Sequence, residues 1–226
     1  MQKVFETLFD IGYLSFVTSI GLRMLVKSKR ESQYFLFGIM ALTLAAGDSF
    51  HLIPRMIALN TTGLDDYKYA LGFGKLLTSI TMTIFYLILF KVWEKRYGVS
   101  NKNISGLVYL LSLVRIGLCI FPQNDWFNGN GPLIWRIYRN IPFLLLGFII
   151  IFLYYKMAKK RGDEDFKFMP LTIILSFAFY LPVVLFEGSY PQIGLLMVPK
   201  TCAYIWTVLI GYFAMKKEKK YEKVFK

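Results

Sequence analysis

Residues 34–58 read YFLFGIMALTLAAGDSFHLIPRMIA. A helix rises about 1.5 Å per residue, so a run of this length crosses a hydrocarbon core about 30 Å thick. Its first half carries no charge. Its second half holds Asp48, His51 and Arg55 at i, i+3 and i+7, which places all three on one helical face. Ionisable groups at membrane depth are costly and are usually turned away from lipid and kept for a function. Gly47 permits close approach of another helix, and Pro54 removes a backbone donor and favours a kink. The stretch therefore predicts a membrane-spanning helix with a polar face at one end.

Six further apolar runs flank it, at roughly 4–26, 69–92, 104–121, 139–157, 168–188 and 192–215. They are too long for barrel strands and lack strict polar alternation. With 56% hydrophobic residues in a chain of 226, the fold class expected is all-α. It is a polytopic membrane protein with seven transmembrane helices. Residues 1–215 form the membrane domain, and 216–226 a basic cytoplasmic tail. Glu6 and Asp10 lie near the start of the first run, so it is expected to be a membrane helix rather than a cleaved signal peptide.

Loop charge gives an expected orientation. Lys27, Lys29 and Arg30, then Lys95, Arg96 and Lys102, then Lys156, Lys159, Lys160 and Arg161 crowd alternate connections, and Lys216 to Lys226 fill the tail. By the positive-inside rule the N-terminus is outside and the C-terminus cytoplasmic. The net charge of +13 then reports topology and attraction to anionic lipids, and no nucleic-acid partner is expected. The plasma membrane is the expected location. Cys119 and Cys202 are expected to be small buried side chains. No metal-ligand pattern and no cofactor motif occurs.

The ionisable residues inside the runs concentrate in the outer half. Candidate ligand-binding residues are Asp48, His51 and Arg55, Lys75 on the third run, Arg115 on the fourth, Arg136 and Arg139 opening the fifth, Glu187 closing the sixth, and Lys200 with Tyr204 on the seventh. Glu6 and Asp10 share a face of the first. Arg115 and Lys200 are too deep to reach the headgroups easily, so each needs a partner or a wet cavity. Asp48 is the carboxylate at comparable depth and is expected to pair with Lys200, Arg115 or both. If two deep cations share one carboxylate, room for an anion remains. Asp48 is also placed to orient the imidazole of His51. Trp126, Phe127 and Trp135, in the one extended outer loop, fit an interfacial anchor better than a lid.

Lys75 and Lys200 precede Lys91 and Lys216 by the same interval, and Pro54 and Pro182 each lie late in a run. This spacing is compatible with a three-plus-one-plus-three repeat, with kinked helices at Pro54, Pro182 and Pro199. The leading expectation is a carrier-like protein whose outer-facing cationic pocket takes a small anionic or zwitterionic solute or a lipid headgroup. The partners expected are that ligand and membrane lipids.

The alternative is a metal-free intramembrane enzyme acting on a lipid or isoprenoid phosphate. His51 and Asp48 would be its acid–base pair and the arginines a phosphate clamp. Seven-helix hydrolases that hold zinc through several histidines are excluded, because the chain has one His. A third expectation is a receptor using Lys200. Pro199-Lys200-Thr201-Cys202-Ala203-Tyr204 resembles the retinal-attachment stretch of animal opsins, which implies a Schiff base at Lys200. Ile205-Trp206 stands where that family carries asparagine-proline.

Overall fold

The computed structural model describes residues 2–129, 131–186, 188 and 190–224. Among the described residues there is no strand. The long helices are α1 (Gln2–Lys27), α2 (Gln33–Asn60), α3 (Lys68–Tyr97), α4 (Lys102–Ile120), α5 (Leu133–Arg161), α6 (Met169–Phe186) and α7 (Met197–Val224). All seven are long and apolar enough to cross a membrane, which makes this a multi-pass membrane protein.

The local reasons are ordinary ones. Ser32 caps α2 by accepting from the Tyr34 amide (3.1 Å), and the Asn101 side chain accepts from Asn103 and Ile104 (3.0 and 3.2 Å) to start α4. Gly98 and Gly162 end α3 and α5 in the left-handed conformation, where a side chain is disfavoured.

Each helix packs on the next, and α7 closes the ring against α1 and α2, while α3 also reaches α5. The tightest seam joins α2 to α3. A Cβ on Gly47 would lie 1.9 Å from Thr81 Oγ1, and one on Gly74 would lie 2.2 Å from the Phe50 carbonyl oxygen. Small residues on both helices let the backbones touch, as close packing in lipid favours. Thr78 donates to the Gly47 carbonyl across this seam (3.0 Å). The middle of the bundle is aromatic: Phe85, Tyr86, Phe143, Phe177 and Tyr204 pack ring against ring. The end at which α1 begins is called the N-end below, and the opposite one the C-end.

Several expectations change. Helix α5 begins at Leu133 rather than near 139, so Arg136 and Arg139 lie in its first two turns. Pro132 ahead of it fixes the entry. Helix α7 begins at Met197, after a 3₁₀ turn over Pro191–Leu196, which puts Lys200 at the end of its first turn rather than near its middle. Pro199 falls in that first turn, where its missing N–H has no helical partner to lose. Helices α2 and α6 run on through Pro54 and Pro182.

Helix α7 continues through the basic segment to Val224. Tyr34 donates to Glu218 (2.6 Å) and Lys219 bonds the Lys27 carbonyl, which ties that extension to the α1–α2 connection. Cys119 is buried as expected. Cys202 is exposed, because it falls on the outward face of α7.

Candidate functional site

A cavity of about 270 Å³ opens in the N-end half, and all seven helices contribute to its wall. Asp48, His51, Arg55, Lys75, Arg115, Arg136, Arg139, Lys200 and Tyr204 line it together. Glu187 lies outside the described residues. Helical phase explains the convergence. Asp48, His51 and Arg55 share one face of α2, and Arg136 and Arg139 lie three apart on α5. The cavity ends toward the bundle centre on Met82, Phe143 and Tyr204, above the aromatic middle.

The cations hold unusual company. Arg115 is 1% exposed, yet its partners are the Arg139 backbone carbonyl and the face of Phe143 at 4.8 Å. Arg139 donates to the Asn124 side-chain oxygen (2.6 Å) and lies over Trp126 at 4.1 Å. The Nε atoms of Arg115, Arg136 and Arg139 are buried and have no hydrogen-bond partner. Lys200 is 6% exposed and sits over the rings of Tyr180 and Tyr204, at 4.8 and 5.3 Å. Among the described residues no carboxylate forms an ion pair with any of these four cations. Buried charges are normally paired, and buried donors normally bonded, so the cluster is incomplete by itself.

The carboxylates are arranged differently from the expectation. Asp48 pairs with neither Lys200 nor Arg115. It accepts a 2.6 Å hydrogen bond from the Tyr13 hydroxyl of α1, with Lys200 further off but within electrostatic range. The physical reason is position. Tyr13 lies beside α2, whereas Arg115 approaches from α4 on the far side of α3. His51 is not oriented by Asp48 either: no hydrogen bond joins the two, and its Nδ1 is buried without a partner. Glu6 holds Arg55 through Nε and Nη2 at 3.2 and 3.0 Å. Lys75 is exposed at the cavity wall.

No protein-family model matches the chain, and no curated protein or solved structure matches it. The site's own chemistry has to carry the reading.

Some contributors escaped the sequence. Trp126, read as an interfacial anchor, also lines the cavity. Its indole donates to the Cys119 carbonyl (2.8 Å), and its ring faces Arg139 over the cavity. The chain there presses on α3, since a Cβ on Gly72 would meet the Trp126 carbonyl oxygen at 1.9 Å. Asn124 was not singled out in the sequence, and it ends a short 3₁₀ turn over Pro122–Asn124. It is buried and donates to the carbonyls of Leu118, Cys119 and Phe121, closing the end of α4. Tyr180 donates to Asn140 (2.9 Å), which fixes a ring beneath Lys200. Tyr13 carried a usable signal, since it follows Asp10 at i+3 on the same face. Among the described residues no three His, Cys, Asp or Glu side chains gather as a metal would require.

Proposed function

We propose that the N-end cavity binds a small solute through an anionic group, and that the protein is a carrier-like membrane protein built around this site. The observation that carries the reading is the cluster of Arg115, Arg136, Arg139 and Lys200. These are four cations gathered at one cavity, with three orphaned guanidinium nitrogens and no carboxylate partner among the described residues. Arginine's planar fork matches carboxylate and phosphate oxygens, and a bound anion supplies the missing charge and acceptors. The cavity's one-ended shape suits a carrier resting in one of its two access states. Its lining comes from the N-end halves of the helices, and the aromatic middle closes it below. The loop-charge pattern supports an outside N-end, so solute would enter from outside.

Native mass spectrometry of the purified protein tests the binding. Wild type is expected to carry a small anionic adduct that Lys200→Met loses. An adduct of the same mass and abundance on the variant would remove Lys200 from the site.

A further inference from the structure

The cavity is electrically polarised. On the α4–α5 side, Arg115 and Arg136 each lie within electrostatic range of Arg139, with no carboxylate among them in the described residues. On the α1–α2 side, Asp10 lies within electrostatic range of Glu6, Asp48 and Arg55, all of which line the cavity. Glu6 already binds Arg55, and Asp48 already takes the Tyr13 hydroxyl. Asp10 is 9% exposed, lines the cavity, and has neither a hydrogen-bond donor nor an ion pair among the described residues. Lys200 stands at the junction, in range of Asp48 on one side and Arg115 on the other. The two groups occupy opposite arcs of the ring, separated by α3.

We propose that the ligand is amphoteric, with its anionic group on Arg115, Arg136 and Arg139 and a protonated amine on Asp10. This rests on the anion-binding reading of the same cavity and adds the second charge, its position and its polarity. An anion alone would satisfy the arginine pole and leave Asp10 with no hydrogen-bond or ion-pair partner among the described residues, and only Arg55, already bound to Glu6, in electrostatic range. A solute with an ammonium group several bonds from its carboxylate or phosphate satisfies both poles at once. The apolar wall between them, with Leu52, Met82 and Val184, suits a short methylene spacer.

Four probes of one chain length test this on the purified full-length protein in lipid nanodiscs, by isothermal titration calorimetry. They are 6-aminohexanoate, hexanoate, adipate and hexylammonium. The expected result is that 6-aminohexanoate binds about tenfold more tightly than hexanoate or adipate, the effect of one charge-assisted hydrogen bond. Asp10→Asn is expected to bring that preference to within about twofold, and Arg139→Gln to weaken all three carboxylate probes about tenfold. Hexanoate or adipate binding as tightly as 6-aminohexanoate would overturn the amphoteric ligand while leaving an anion pocket. Hexylammonium binding tightest, or no probe binding, would overturn the amphoteric ligand and the anion pocket together. If Asp10→Asn does not fold, the wild-type ranking of the four probes decides the question.

Discussion

At the C-end, Arg96 meets Asp163 through two hydrogen bonds of 2.5 and 2.6 Å, while at the N-end Arg115, Arg136 and Arg139 gather with no carboxylate partner among the described residues. The C-end group is complete. Tyr97 adds a third hydrogen bond to Asp163 at 3.0 Å, Arg96 lies 3.7 Å over Phe166, and Lys217 binds Asp165 at 2.7 Å. Side chains of Arg96 and Asp163 are 14% and 9% exposed, so both ends bury arginines at comparable depth. What differs is the counter-charge. The C-end group has the form of a clasp joining α3, the α5–α6 connection and α7. The N-end group has the form of a socket.

Removing a partner should therefore have opposite consequences at the two ends. The largest effect is expected from Asp163→Ala, which takes both short hydrogen bonds from the Arg96 guanidinium and leaves it the more distant Asp165 at 3.8 Å. Thermal unfolding in detergent should show a loss of about 3 kcal/mol, and a loss below about 1 kcal/mol would mean the clasp is not structural.

Protonation makes the same break reversibly. Burial acts to raise the Asp163 pKa, but the hydrogen bonds and charge of Arg96 outweigh it and hold the carboxyl below its usual range. A depressed carboxylate gives its stability in full above the unfolded value, about 3.9 for Asp, and loses it as pH falls through the folded value. The melting temperature should carry an Asp163-dependent fall only below about pH 4. Asp163→Asn should abolish that component, and an unchanged acid profile in Asp163→Asn would refute it.

The α2–α3 seam that carries His51 comes next. Gly74→Ala drives a methyl group into the Phe50 carbonyl and His51 Cα, at 2.2 and 2.6 Å. Backbone cannot yield as a side chain does, so a loss of about 2 kcal/mol is expected, with α3 displaced from the cavity wall. A variant as stable as wild type would show that the seam is loose.

Tyr13→Phe removes the donor to Asp48 and should cost about 1.5 kcal/mol. A neutral result would mean that another group takes over that carboxylate.

The smallest effect on stability, within about 0.5 kcal/mol, is expected from Arg139→Gln, because relief of repulsion from Arg115 and Arg136 offsets the lost contact with Asn124. A loss above about 2 kcal/mol would make the N-end another clasp rather than a socket.

Much of the site was legible as positions and little of it as pairs. The i, i+3, i+7 spacing on α2 placed Asp48, His51 and Arg55 together, and the depth of Arg115 and Lys200 pointed to a cavity. The expected Asp48–Lys200 pair failed because depth along a helix says nothing about which neighbour is nearest. That depends on how α1 and α4 sit around α2 and α3. The inward course of the loop at Trp126 and Asn124 was not legible for a related reason. A Gly- and Asn-rich loop announces turns, but whether it folds inward depends on what lies beneath it, here Gly72.

The sequence alone determined that this chain carries seven helices long and apolar enough to cross a membrane, because such length and hydropathy are written into each run. It also determined that charge collects in one half of the spans, since charge placement is written residue by residue. Only the tertiary structure decided that one end closes on itself while the other leaves its cations waiting. Pairing requires contact within about 4 Å, and such contacts are set by helix rotation and neighbour choice, which no single segment encodes.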